Sequence, residues 1–140
     1  MNDCVQQNSG NFEHTSSQSI ESIERTCIFC KIIKGEIPSK KIWEDENFLA
    51  ILDVKPVGEG HTLVIPKKHF NNFLDLDAET SLNYINALQK TAKILMNKYS
   101  AKGFNIVLNN GKVAGQLVGH VHFHILPRKD GDNLRGIFIG

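Results

Sequence analysis

The chain has 140 residues, with 16 Lys and Arg against 15 Asp and Glu for a formal net charge of +1. That length suits one domain around a single core plus an appendage. The near-neutral balance excludes the basic field of a nucleic-acid binder, and no apolar run approaches the ~20 residues that cross a bilayer.

Residues 1–25 are dominated by Asn, Gln, Ser, Glu and Thr. So little apolar surface predicts a flexible tail, with the folded domain over 26–140. No apolar stretch follows Met1 as a secretory signal requires, and Asp3, Glu13, Glu21 and Glu24 against Arg25 argue against a mitochondrial transit peptide. The expected compartment is therefore the cytoplasm, with the nucleus left open. Thiols stay reduced there, so Cys27 and Cys30 are not read as a structural disulfide. Cys4 and His14, in the tail, are read as bystanders.

From residue 26 the pattern is mixed. Cys27-Ile-Phe-Cys30 reads as a knuckle, followed by a short helix stopped at Gly35. Lys41–Glu44 and Phe48–Leu52 read as strands around a polar turn, and residues 61–66 as a third strand ended by Pro66. Asp77 is an N-cap for a long helix with Ile85, Leu88, Ala92, Leu95, Met96 and Tyr99 at helical spacing, closed by Gly103. Residues 104–108 are a fourth strand and the histidine segment a fifth. These elements predict an α+β domain: a five-stranded, mainly antiparallel sheet with one long and one short helix, one face covered and the other left for a site.

The histidine segment carries the most chemistry. His120, His122 and His124 alternate with Val121, Phe123 and Ile125, so a strand places the imidazoles on one face and the apolar residues in the core. Neighbouring side chains on that face are ~6.5 Å apart and the outer pair ~13 Å. That spacing disfavours one tri-histidine metal site, whose bonds are ~2.0–2.1 Å long, and favours a division of labour.

Three further features accompany it. Cys27 and Cys30 have zinc-knuckle spacing, and His61, His69, His120, His122 and His124 are the candidates for two more ligands. Residues 109–116 form a loop in which Gly111 and Gly115 let backbone N–H groups approach an anion, with Asn and Gln amides beside them. It matches neither a Walker loop nor a GxGxxG fingerprint, and alone it is an ordinary hairpin loop. Asp53, before a Gly/Pro loop, can pair with ribose hydroxyls or merely cap the adjoining turn.

Together these segments resemble the histidine triad (HIT) superfamily. His120-Val-His-Phe-His124-Ile-Leu resembles its HxHxHxx signature. Gly60-His-Thr-Leu-Val-Ile-Pro-Lys67 followed by His69, Cys27-Ile-Phe-Cys-Lys-Ile-Ile33, and 111–116 are similar to its other segments. The resemblance covers about residues 26–128 and points to a zinc-bearing, Hint-like or bacterial-type member.

The resemblance implies a homodimer whose sheets join into one of ten strands, and a purine nucleotide bound beside the triad. His122 would attack the α-phosphorus and form a nucleotidyl-histidine that water resolves, releasing a nucleoside monophosphate, AMP. It implies that Asp53 holds the ribose and that Asn109, Gly115 and Gln116 line the phosphate. His124 would contact the phosphate, its carbonyl orienting the His122 ring, and His61 would buttress the triad. Cys27, Cys30, His69 and His120 would hold a structural zinc, and no catalytic metal is required. Where many relatives carry Ser or Thr after the Gly-Gln pair, this chain has Leu117, so a hydroxyl near the leaving group is missing and Gln116 is the substitute. Phosphoramidate and dinucleoside polyphosphate substrates both stay open. So do two alternatives, a nucleotide-binding or scaffolding protein with little catalysis and a nucleotidyltransferase. No nucleic-acid or membrane partner is expected.

Overall fold

The computed structural model describes residues 19–134. The expected tail over 1–18, with Cys4 and His14, lies outside the described residues.

Ser19 opens helix α1 (Ile20–Thr26) by accepting a hydrogen bond from the Ser22 N–H. This helix occupies ground expected to be flexible tail. A side-chain cap, Glu21 in the first turn and Arg25 in the last suffice to form it, although it buries no residue. Lys34 Nζ, 2.8 Å from Glu24 Oε2, ties it to the far side of the knuckle. Cys27 closes α1 and opens α2 (Ile28–Ile33), its Sγ accepting from the Cys30 N–H, so the knuckle is itself helical.

Strands β1 (Lys41–Glu44), β2 (Phe48–Leu52), β3 (Thr62–Pro66), β4 (Gly103–Leu108) and β5 (Phe123–Arg128) form one sheet in the order β1-β2-β3-β5-β4. Every pairing is antiparallel. Helix α3 (Ala78–Lys98), capped by the Asp77 carboxylate, covers one face.

Alternation along the strands feeds two cores. Phe48, Ala50, Val64 and Ile125 pack with Tyr84, Leu88 and Leu95 of α3, while Leu49, Ile51, Leu63 and Ile65 pack with Cys27, Phe29 and Cys30. The second face is thus covered by α2 rather than left open, and the site is cut into its margin.

Helix α3 buries Leu88, Ala92 and Leu95 of the expected stripe and packs Tyr99 against the core, but its inward face is wider than expected and leaves out Ile85. Tyr84, Ala87 and Thr91 are buried, and Ile85 is 54% exposed. The Tyr84 hydroxyl donates to the Val64 carbonyl, and Trp43 Nε1–H donates to Thr91 Oγ1 at 2.7 Å. These polar anchors set the helix register. The helix ends at Tyr99, with Ser100 at φ 51°, and Gly103 begins β4 rather than capping the helix.

The fifth strand starts at Phe123, not His120, because pairing with both neighbours stops there: Val64 of β3 and Leu108, the last residue of β4, both face Phe123. Ahead of it, the Val121 N–H donates to the Phe70 carbonyl at 2.8 Å. Side-chain alternation nevertheless persists, with Val121 and Ile125 in the α3 core. Among the described residues no helix is long and apolar enough to cross a membrane.

Candidate active site and metal centre

The five histidines among the described residues divide into two groups, one of them shared with Cys27 and Cys30. On the metal side, Cys27, Cys30, His69 and His120 bring two Sγ and two ring nitrogens within 4.8 Å of one another. His120 Nδ1 is 3.4 Å from Cys27 Sγ and 3.5 Å from Cys30 Sγ, and His69 Nδ1 is 3.2 Å from Cys30 Sγ.

The other nitrogen of each ring is committed. His120 Nε2–H donates to the Pro66 carbonyl at 2.8 Å, and His69 Nε2–H to Asn71 Oδ1 at 2.9 Å. A neutral imidazole that donates from Nε2 carries a lone pair on Nδ1. Both rings therefore aim lone pairs at the two sulfurs, with their outer nitrogens anchored as metal-ligating histidines require. Burial pushes both thiols up. At Cys27 the His120 and His69 rings, when protonated and donating, outweigh it and hold the thiol below its ordinary value, favouring the thiolate that a metal would take. At Cys30 the neighbouring Cys27 pushes the same way as burial. Two thiols and two imidazoles in this arrangement fit four-coordinate zinc.

The second group is His61, His122 and His124. His122 Nδ1–H donates to the carbonyl of His120 at 2.8 Å. The expected orienting carbonyl was that of His124. The chain ahead of β5 instead turns the preceding carbonyl onto the ring, two residues back. The lone pair of His122 is thereby placed on Nε2. Burial lowers the His122 pKa, against the hydrogen bond to His120, so the ring is neutral near pH 7.

His61 Nε2 is 2.9 Å from His124 Nδ1, and the His122 and His124 ring centroids are 5.0 Å apart. Burial, then the neighbouring His122 and His61, depress His124 to about 3. Its Nε2 is buried with no protein partner. A buried polar atom without a partner is costly, which makes this nitrogen a candidate for contact with a ligand.

Asp53, His61 and His124 also lie close enough together to suggest a second metal group. The hydrogen-bond sense argues otherwise. The Val57 N–H donates to His61 Nδ1 at 3.1 Å, so the proton of neutral His61 occupies Nε2, the atom facing Asp53 and His124. A protonated nitrogen is no ligand.

Asp53 follows β2, its Oδ1 accepting from the Lys55 N–H at 2.9 Å. With His61 it lines a cavity of about 740 Å³ that Lys40, Leu52, Pro56 and Gly60 also border. That volume lies within the usual range for small-molecule sites.

Asn109 follows β4, and the expected anion loop comes next. Its amides turn inward. The Gly111 N–H donates to Gln116 Oε1 at 2.8 Å, the Gly115 N–H to the Lys112 carbonyl and the Gln116 N–H to the Gly111 carbonyl. Gln116 Nε2 donates to the carbonyls of Asn71 and Val118. Here Gln116 braces the loop, because a short 3-10 turn at Lys112–Ala114 folds the backbone onto its amide. Leu117 is 79% exposed.

Phe29 went unnoticed in the sequence. It packs edge-on against His120 and His122 at centroid distances of 5.9 and 5.0 Å. An aromatic residue between two candidate ligand cysteines was the available signal. The Val57 amide had none.

A five-stranded antiparallel sheet with a two-thiol, two-imidazole cluster next to three further histidines and a nucleotide-sized cavity defines the class of histidine triad domains. The HIT domain family matches residues 34–131, and the chain belongs to that family.

An uncharacterized HIT-like protein of Methanocaldococcus jannaschii is 55% identical over 106 residues, covering 76% of this chain and 81% of the relative. The adenosine 5'-monophosphoramidase of Candida albicans is 41% identical over 75% of this chain and 72% of its own length. A zinc-bound histidine triad protein of Mycobacterium smegmatis has a solved structure with a TM-score of 0.76 and 43% identity, covering 80% of this chain and 81% of that one.

Proposed function

We propose that the protein is a nucleotide hydrolase releasing a purine nucleoside monophosphate, AMP, from phosphoramidate or dinucleoside polyphosphate substrates. The observation that carries this is the pairing of His122 and His124. One ring has its Nδ1–H tied to a carbonyl, so its Nε2 lone pair is the nucleophile, and the next ring has a buried Nε2 without a protein partner. Kinship with an adenosine 5'-monophosphoramidase supports AMP as the product.

In this reading His122 Nε2 attacks the α-phosphorus, forming a P–N bond as the bond to the leaving group breaks. His124 Nε2–H donates to a non-bridging oxygen, whose charge grows in the transition state. Water then attacks phosphorus, the P–N bond breaks and AMP leaves. Asp53 holds the ribose hydroxyls at the cavity wall. Asn109, Gly115 and Gln116 frame the phosphate, Gln116 by bracing the loop.

Cys27, Cys30, His69 and His120 would hold zinc, which when bound would serve as a structural cross-link rather than take part in the reaction. The zinc-bound mycobacterial relative supports that assignment. Homodimerisation would run through β4, an edge strand with Phe104 and Ile106 44% and 41% exposed, and extend the sheet to ten strands.

A substrate panel of adenosine phosphoramidate, diadenosine polyphosphate and adenylylated amines, with mass spectrometry of the acid-quenched protein, tests the reading. AMP release with a nucleotidyl adduct on His122 is the expected result. Micromolar AMP binding without release would favour a nucleotide-binding protein of little turnover, a reading that Leu117 and the committed Gln116 amide favour.

A further inference from the structure

Resting on the reading of His124 as the donor to phosphate, we propose that the backbone N–H of Val57 is a positioning group that sets this donor's polarity through His61. A backbone N–H can only donate, and a neutral imidazole has one donor and one acceptor nitrogen. Val57 N lies 3.1 Å from His61 Nδ1, so Nδ1 accepts and the His61 proton sits on Nε2. His61 Nε2 is 2.9 Å from His124 Nδ1, and two nitrogens at that distance share one proton. His61 supplies it. His124 Nδ1 therefore accepts, and the His124 proton is displaced to Nε2, the buried atom without a protein partner.

The reverse polarity would leave a lone pair there, facing the phosphoryl oxygens it is meant to stabilise. Neither ring escapes the choice by taking a second proton. Burial lowers the pKa of His61 against the pull of Asp53, and His124 is depressed further. The charged neighbour acts in the same sense: Asp53 Oδ2, 3.6 Å from His61 Nε2, favours a proton on that atom.

The loop is built to hold this amide in place. His61 N–H donates to the Gly58 carbonyl at 3.2 Å, and the Asp53 N–H to the His61 carbonyl at 2.9 Å. Val54, Pro56 and Gly58 of the same loop wall the 740 Å³ cavity. The relay thus begins at the binding wall and ends at the phosphate donor.

Ring nitrogen spectra of uniformly 15N-labelled, full-length protein at pH 7 test the relay directly, with V57A, which keeps the amide proton, and V57P, which removes it. Wild-type protein and V57A are expected to show His61 and His124 as Nε2–H tautomers. V57P is expected to move both toward Nδ1–H, with kcat for AMP release lowered about 10- to 100-fold and KM changed by less than about threefold. A wild-type His61 protonated at Nδ1, or a V57P protein retaining both Nε2–H tautomers, overturns the proposal. If V57P does not fold, the wild-type spectrum alone decides. Absence of AMP release from wild-type protein would sink the hydrolase reading while leaving the tautomers to be read independently.

Discussion

The backbone carbonyl of His120 accepts the Nδ1–H of His122 at 2.8 Å, while the His120 ring faces Cys27 and Cys30 at 3.4 and 3.5 Å. One residue serves the sulfur cluster through its side chain and orients the next imidazole through its main chain. Disturbing the cluster therefore disturbs the ring beside it.

On the proposed mechanism His122→Ala would remove the attacking nitrogen while leaving the proposed ribose and phosphate-loop residues in place. AMP release is expected to fall by about 10⁴-fold or more. The Kd for AMP, read by calorimetry, should stay within about tenfold, or ~1.4 kcal/mol. Full activity in this variant would refute the nucleophile assignment.

Purified protein is expected to carry close to one zinc per chain. Cys27→Ala and Cys30→Ala should each reduce that to less than about a fifth and lower the thermal midpoint by ~10 °C or more, because binding energy at such a site is folding energy. Elemental analysis beside a thermal melt is the check. Metal-free wild-type protein with an unchanged midpoint would exclude the structural role.

Acid should destabilise the fold through its neutral histidines. His124 is held at about 3 in the folded protein, against an ordinary 6.5. Below pH 6.5 the unfolded chain binds a proton that the folded chain refuses, so stability is intact above 6.5 and declines as pH falls toward about 3. The loss at pH 5 is about 2 kcal/mol from this residue. Urea unfolding at pH 7 and 5 measures it, and His124→Gln should flatten the slope. An unaltered slope would mean His124 is not neutral and buried in solution.

Gly60 sits at φ 80°, and a Cβ there would lie 2.8 Å from the Tyr99 ring and 3.0 Å from Pro127. Gly60→Ala combines left-handed strain with overpacking, and about 2–4 kcal/mol of stability is expected to be lost. Equilibrium denaturation reads the change, and a loss below ~0.5 kcal/mol would show that the loop relaxes freely.

Much of this architecture was legible because strand alternation and turn residues are local signals. Lys41–Glu44 and Phe48–Leu52 are strands as read, Asp77 caps the long helix, and the histidines alternate with core residues. What escaped depends on distant partners. Leu88, Ala92 and Leu95 of α3 are buried as read, but Tyr84 and Thr91 join them through bonds to Val64 and Trp43 that periodicity does not show, and Ile85 is left exposed. The start of β5 is set by where β3 and β4 stop pairing, not by its own residues. Within the site, spacing brought the right side chains into view. The carbonyl of His120 and the amide of Val57 left no trace, because main-chain groups carry no sequence signature.

Phe29 braces the rings of both His120 and His122. A smaller residue at this position would loosen the ring facing the two sulfurs and the ring of His122 together. The two rings are thus mechanically linked, and substitutions that adapt either must pass through a shared hinge of aromatic packing.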